Sequence, residues 1–307
     1  MLRNLMLTLA YDGADFHGWQ NQPGLRTVQS CVETALRRAL RHQVVVIGCS
    51  RTDAGVHAAA YVANAYTTAK TADLPIARSI GSRLPKDMTL LNLETVPLTF
   101  HATRSALGKL YRYRVHAAPG RPCEQLTQRF TYHFWQALDV QAMRAAAEHL
   151  IGRHDFTSFA SAGNVRESNV RTIRRIDVYR VGLEVRFDIE GDGFLYKQVR
   201  NMVGTLIEVG RAHRPPEWVA QVRDALDRAK AGPTAPARGL CLQWVRYNLR
   251  DLPEPTPEVL DKAREVGAPP AHLRALVERQ HRSLNEKQRQ ALAPKPEGVE
   301  IVEDPEA

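Results

Sequence analysis

The stretch Val44-Val45-Val46-Ile47-Gly48-Cys49-Ser50-Arg51-Thr52-Asp53-Ala54-Gly55-Val56-His57-Ala58 constrains this chain more than any other. Four consecutive β-branched residues disfavour helix and predict a strand buried on both faces. That strand runs into a polar turn closed by Gly55, a residue type that adopts positive φ freely and lets a ligand approach its backbone. With the backbone extended through Thr52, Arg51 and Asp53 share one face, since side chains two apart point the same way. A carboxylate beside a guanidinium is favoured in its charged form, which lowers its pKa and readies it as a nucleophile at neutral pH. Taken alone, Thr52-Asp53-Ala54-Gly55 reads as well as a turn with a local Asx hydrogen bond.

The elements around this stretch fall into a recognisable order. Leu5 to Tyr11 alternates as a strand and ends in Tyr11-Asp12-Gly13, a turn signal. Ala14 to Gly24 is polar, aromatic and glycine-rich, in the manner of a functional loop. Thr27 caps a predicted helix whose apolar stripe is Val28, Cys31, Val32, Ala35, Leu36, Ala39 and Leu40. Arg37, Arg38 and Arg41 crowd its last turn, where cations suit the dipole. After the Asp53 turn come a strand near 58–67, a helix near 73–83 and a strand near 88–96. The order β-α-β-β-α-β is ferredoxin-like and defines a first domain over residues 1–104.

Residues 105–250 repeat the sheet-plus-helices plan without detectable sequence repetition. Strands are predicted near 109–116 and 130–135, then a helix from an Asp139 cap to Leu150 and a loop over 152–159. Strands near 173–179 and 183–190, helices over 194–209 and 216–230, and a strand near 240–247 complete this second domain. Beyond Arg250, Pro253, Pro255 and Pro257 break regular structure. Residues 259–266 and 271–292 are helix-prone, and 294–307 is rich in proline and acid. The segment 251–307 reads as an appendage, partly helical and partly disordered.

Charge separates these parts. The formal net charge of +9 divides into +13 over residues 1–250 and −4 over residues 251–307. Arginine outnumbers lysine heavily in the basic body, and its planar fork suits phosphate. Nucleic acid is the first partner that such a field selects and a membrane surface the second; a basic protein with no polyanion partner fits the charge as well. No run approaches the roughly 20 apolar residues of a membrane span, and the first residues lack the pattern of a signal peptide. Cys31, Cys49, Cys123 and Cys241 stand far apart with no C-x-x-C pair. That argues against a zinc site or a disulfide framework and for a reducing compartment. The 11 histidines show no ligand spacing such as H-E-x-x-H. The expectation is a cytoplasmic protein with no metal site.

The run Arg51-Thr52-Asp53-Ala54-Gly55-Val56-His57-Ala58 resembles the signature of the TruA family of tRNA pseudouridine synthases. Other landmarks follow in the family's order: Tyr11-Asp12-Gly13 through Gly18-Trp19-Gln20, Thr27-Val28-Gln29, Leu84-Pro85, Phe100-His101-Ala102 and Tyr111-Arg112-Tyr113. His154-Asp155-Phe156-Thr157-Ser158-Phe159, Gln198-Val199-Arg200-Asn201-Met202-Val203-Gly204 and Gly239-Leu240 complete the set. The resemblance covers roughly residues 5–250 and leaves out the tail. The chain departs from the family at Gly81-Ser82-Arg83, where an asparagine is expected before Leu84-Pro85.

The resemblance implies isomerisation of uridine to pseudouridine in the anticodon stem-loop of tRNA. The N1–C1′ bond breaks, the trapped uracil rotates, and C5 rejoins the ribose. By the same resemblance Asp53 is the catalytic carboxylate, which either attacks C1′ or takes a proton from C2′; both routes stay open. Tyr111 lies against the target base and is a candidate to remove the C5 proton. Arg200, on a helix of the second domain, pairs with Asp53 across the cleft and keeps it ionised. Arg51 extrudes the base or holds a phosphate, and Leu240 forms an apolar wall. The implied fold is α+β, with two ferredoxin-like (RRM-like) domains whose antiparallel sheets flank a central basic cleft. tRNA and a second copy of the chain are the implied partners. No cofactor is called for, because nothing is oxidised and the leaving base is also the returning nucleophile.

Read singly, these residues have plainer uses. Tyr111 sits in a strand, where tyrosine packs readily; Arg200 suits a helix surface, His57 the shaping of its loop, and His154-Asp155 a structural hydrogen bond. Two other function classes fit parts of the chain. A non-catalytic RNA-binding protein on the same scaffold shares the basic body. A nucleoside glycosidase needs two carboxylates, of which the focal motif supplies one, and it would release free uracil.

Overall fold

The computed structural model describes residues 2–120, 128–161 and 168–267. Its first half runs β1 (Arg3–Tyr11), α1 (Val28–Leu40), the two-residue β2 (Ile47–Gly48), β3 (His57–Thr67), α2 (Asp73–Gly81) and β4 (Met88–Val96). In β1 the residues Leu5, Leu7, Leu9 and Tyr11 are buried, whereas Met6, Thr8 and Ala10 between them are half-buried. The leucines share one core with Val28, Val32 and Leu36 of α1 and Ile76 and Ile80 of α2. Each such side chain contributes about 1.5–3 kcal/mol on burial, so period 2 on the strand and the helical stripe on α1 act together. Thr27 caps α1 as its sequence position requires, in a reciprocal pair with Ser30.

The second half runs β5 (Gly108–Ala117), β6 (Tyr132–Phe134), α3 (Val140–Glu148), β7 (Gly152–Asp155), β8 (Val170–Val181), β9 (Glu184–Gly191), α4 (Gln198–Gly210), α5 (Trp218–Asp224) and β10 (Leu240–Arg246). The Asp139 side chain accepts from the Gln141 and Ala142 amides and starts α3, which packs on α4 and β8. A last helix, α6 (Pro257–Gly267), lies against β3 with Ala263 buried.

All ten strands among the described residues belong to one mostly antiparallel sheet, in the order β4-β1-β3-β10-β5-β9-β8-β7, with β2 on β3 and β6 on β5. The two halves carry the same permutation, β4-β1-β3-β2 in the first and β10-β5-β9-β8 in the second. Two flanking sheets were the expectation; the structure has one, because β10 bridges the halves. It pairs parallel with β3 (Cys241 with His57, Leu242 with Ala58) and antiparallel with β5. The same edge of β3 carries β2 only at Ala63 and Asn64. So short a partner leaves much of that edge unpaired, and an open strand edge seeks a neighbour. The join falls immediately after the Asp53 turn.

Several predicted spans shift for local reasons. Val44–Ile47 is not a strand buried on both faces: Val44 and Val46 are buried, Val45 and Ile47 half-exposed, and only Ile47–Gly48 pair. The segment lies at a sheet margin with a cleft on one side. The loop expected over 152–159 holds the edge strand β7 and a short 3₁₀ turn, Thr157–Phe159. The helix predicted from Phe194 begins only at Gln198, because Lys197 has φ 59°. The helix predicted over 216–230 ends at Asp224; Leu226 has φ 50°, and a 3₁₀ turn at Arg228–Lys230 follows. The predicted helix over 259–266 is present as α6, while the one over 271–292 and the acidic end lie outside the described residues. Among the described residues no helix is long and apolar enough to cross a membrane.

Candidate active site

Where the halves join, the sheet opens into a cleft of about 1140 Å³. That exceeds the roughly 300–1,000 Å³ of small-molecule sites and suits a segment of a larger ligand. Its lining includes Arg51, Lys109, Lys197 and Arg200 against two carboxylates, Asp53 and Asp192, so the cleft is basic. Trp19 and the stretch Val45–Ala54 come from the first half; Tyr111 of β5, the residues between β9 and α4, and Leu240 of β10 come from the second.

Asp53 is presented by a loop held through its backbone and, at Thr52 and His57, through side chains. The Trp19 amide donates to the Thr52 carbonyl (3.0 Å), the Gly55 amide to the Phe16 carbonyl (3.3 Å) and the Val56 amide to the Asp53 carbonyl (3.2 Å). Gly55 has φ 78°, the left-handed conformation its position in the turn called for. Beneath the loop, Gly13 lies so close that a β-carbon there would overlap the Val56 carbonyl oxygen. Thr52 points inward, its hydroxyl 2.9 Å from that of Tyr11. His57 closes the loop: the Gly13 amide donates to its Nδ1 (2.9 Å), and its Nε2 lies 3.2 Å from the Arg238 carbonyl oxygen ahead of β10. Burial lowers the His57 pKa, against the pull of the Asp12 carboxylate 3.0 Å from Nδ1. The neutral ring then accepts at Nδ1 and donates from Nε2, tying three segments together.

Arg200 reaches across the join from the first turn of α4. Its Nη1 donates to Asp53 Oδ2 at 2.7 Å, with the two side chains only 13% and 14% exposed. Its Nε donates to the Ala235 carbonyl at 2.7 Å, and the Ala235 amide donates back to the Arg200 carbonyl. The loop carrying Ala235 is itself clamped from below by Arg228. That guanidinium donates to the carbonyls of Ala231 and Gly232, to Thr234 Oγ1 and to the buried Asn201 Oδ1. Among the described residues Asp53 Oδ1 has no hydrogen-bond partner, Arg200 taking Oδ2 alone.

Tyr111 is buried with its ring edge-on to Phe194, centroids 5.2 Å apart, and its hydroxyl 3.1 Å from Ser50 Oγ. Burial raises its pKa, the Ser50 hydrogen bond opposing, so the ring meets a ligand as a neutral phenol. Leu240 is buried at the start of β10 in the same wall.

Arg51 departs from the geometric expectation. It is exposed on the rim, and among the described residues no ion pair or hydrogen bond engages its guanidinium; Asp53 pairs with Arg200 instead. Arg200 approaches from the second half and takes Asp53 Oδ2, so the Arg51 guanidinium stays on the rim. The pair His154-Asp155 is structural: Asp155 Oδ1 accepts from the amide and hydroxyl of Thr157, and His154 Nε2 lies 2.8 Å from the Ile151 carbonyl oxygen.

Sequence reasoning missed several residues of the cleft. Lys109 is buried, its Nζ donating to the Cys49 carbonyl at 2.7 Å. Its position two residues before Tyr111 in one strand was the available signal, because side chains two apart share a face. Trp19 stacks on Tyr61 at 4.3 Å, and Tyr61 donates to the Ser50 carbonyl. Asp192 and Phe194 carried no signal in the linear pattern, and neither did Arg228, which supports the Ala235 loop from outside the cleft lining.

Comparison with known proteins places the chain among relatives of one family. A sequence profile described as "tRNA pseudouridine synthase" matches residues 8–104 and 146–248. The chain is 40% identical over 246 residues to tRNA pseudouridine synthase A 2 of Clostridium perfringens, covering 80% of this chain and all of that one. It is 43% identical over 250 residues to tRNA pseudouridine synthase A of Limosilactobacillus reuteri, covering 80% of this chain and 97% of the relative. The Moorella thermoacetica protein of the same name is 42% identical over 248 residues, 79% of this chain and 99% of its own.

Proposed function

The chain belongs to the tRNA pseudouridine synthase family, and from that premise we propose that Asp53 performs the isomerisation with Arg200 and Tyr111 as its partners. The enzyme is an isomerase that converts uridine to pseudouridine in the anticodon stem-loop of tRNA. The observation that carries the assignment of roles is the 2.7 Å pair of Arg200 and Asp53 inside a basic cleft.

Arg200 occupies Oδ2 and fixes the orientation of the carboxylate, which leaves Oδ1 for the ribose. Attack by Oδ1 at C1′ breaks the N1–C1′ bond and parts the uracil from the sugar. C5 then forms the new bond to C1′, Asp53 departs, and the C5 proton is lost while N1 gains one, so no atom is added or removed. A base inside a stem must first leave its stack, at a cost of about a few kcal/mol. The Tyr111 ring recovers part of this, about 1–3 kcal/mol for a stacked base. Leu240 walls the pocket, and Arg51, unpaired on the rim, takes a phosphate or helps to extrude the base.

Three further readings complete the proposal. The repeated strand permutation supports two ferredoxin-like domains, residues 1–104 and 105–250, fused edge to edge, with 251–307 as an appendage. A homodimer would let one copy support the tRNA while the other receives its uridine. The four separate cysteines support work in the reducing cytoplasm.

Asp53→Asn tests the central role. Pseudouridine mapped by selective derivatisation and reverse transcription of an unmodified tRNA transcript should disappear, while tRNA affinity stays close to that of the wild type. Substantial residual turnover would remove Asp53 from the chemistry. Free uracil among the wild-type products would replace the isomerase reading with a hydrolytic one.

A further inference from the structure

The four residues between Gly193 and α4 do not continue the helix that their sequence suggests. Lys197 adopts φ 59°, ψ 10°, a left-handed conformation that is unstrained for glycine and unfavourable for a residue with a β-carbon. Strained backbone of this kind concentrates at functional sites. Here it sorts the neighbouring side chains. Leu195 and Gln198 turn inward, both buried, with the Leu195 amide donating to Gln198 Oε1 at 2.8 Å. Phe194 packs against Tyr111. Tyr196 is sent outward, 45% exposed, with the Lys197 ammonium 4.9 Å from its ring centroid. Both Tyr196 and Lys197 line the cleft that holds Asp53.

An exposed aromatic ring beside an ammonium, on the wall of a basic cleft, has the chemistry of a nucleotide platform. A base stacks on the ring, and the cation meets a phosphate. We infer that Tyr196 and Lys197 dock a nucleotide flanking the target uridine. Its base lies on the Tyr196 face opposite Lys197, and its phosphate is held by the Lys197 ammonium. The platform rests on the reading of the cleft as the tRNA site. It acts in substrate binding, apart from the groups that break the glycosidic bond.

Steady-state kinetics on an unmodified tRNA transcript, with the full-length protein, tests this. Tyr196→Ala raises KM between about fivefold and a hundredfold, the range set by loss of one stacked base, and leaves kcat within about twofold. Tyr196→Phe restores KM, because the stacking face is kept. Lys197→Gly relaxes the backbone, so its melting temperature holds or rises. It nevertheless raises KM and lowers the steepness of the salt dependence by about one ion. A wild-type KM in Tyr196→Ala, a Phe variant as weak as the Ala variant, or a wild-type KM and salt slope in Lys197→Gly would each overturn the platform. If instead the wild-type protein forms no pseudouridine, the reading of the cleft fails first and takes the platform with it.

Discussion

Asp53 and Arg200 meet at 2.7 Å, yet the two halves of the molecule hold them in place by different means. Asp53 rides on a loop secured by main-chain hydrogen bonds to the segment 13–19, with Gly13 pressed against the Val56 carbonyl. Arg200 rides on a helix and takes its direction from side-chain hydrogen bonds: Ala235 accepts from it, and Arg228 and Asn201 hold the loop around Ala235. The Asp53 carboxylate thus sits in a frame with little freedom to relax, and its Arg200 counterion in one that single side chains can tune. Main-chain packing answers an added atom with overlap. A side-chain clamp answers a lost donor with unsatisfied acceptors.

The sharpest way to break this contrast is a methyl group on each side. Gly13→Ala forces the Val56 carbonyl aside, and Gly204→Ala does the same to the Pro233 carbonyl beneath the Ala235 loop. Overpacking of this kind costs about 1–3 kcal/mol, a fall in melting temperature of roughly 2–5 °C for a chain of this size. Stability should drop comparably in both, but activity should fall much further in Gly13→Ala, by over a hundredfold, because that loop carries the carboxylate. Equal losses of activity in parallel kinetic and melting measurements would erase the distinction.

A smaller effect is expected from Arg228→Met. It takes the donor from the Ala231 and Gly232 carbonyls, at about 1–3 kcal/mol for an acceptor left unsatisfied, while Asn201 Oδ1 keeps the bond from the Thr234 hydroxyl. Turnover should fall about tenfold with KM for tRNA little changed, since Arg200 loses its direction and no RNA contact is removed. A rise in KM at constant kcat would place Arg228 on the RNA instead.

The smallest effect concerns pH. Burial lowers the His57 pKa below its ordinary value of 6.5, so below that value the unfolded chain takes up the proton more readily than the fold does. The stability from His57 is complete above pH 6.5 and is lost as pH falls through the lowered folded value. His57→Gln keeps an acceptor and a donor without titrating. Its melting temperature should therefore decline less than the wild type's between about pH 6.5 and 5. Identical slopes would show that the other histidines carry the whole effect.

Much of this architecture was legible residue by residue. The Thr27 and Asp139 caps, the alternation of β1 and the stripe of α1 each lie in local spacing, and local spacing is what backbone geometry reads. Less legible were the positions where one residue leaves the regular pattern. Lys197 and Leu226 adopt left-handed backbone in the middle of apparent helices, because contacts with the rest of the fold outweigh a propensity difference of less than about 1 kcal/mol per residue. Lys109 and Arg228 were missed because their partners, Cys49 and the Ala231–Thr234 loop, are remote in sequence or meet them only through a folded loop.

The sequence by itself determined most of the elements, the motif with Asp53 and its family, since these follow from spacings within a few residues and from the order of landmarks along the chain. Only the tertiary structure decided that the two halves form one sheet, that Arg51 stays on the rim while Asp53 takes the Arg200 partner implied by the resemblance, and that Tyr196 is turned into the cleft. Those outcomes depend on β10 reaching the open edge of β3 and on Arg200 reaching Asp53 from the second half. Such long-range pairings are set by the satisfaction of strand edges and buried polar groups, which no short window of sequence contains.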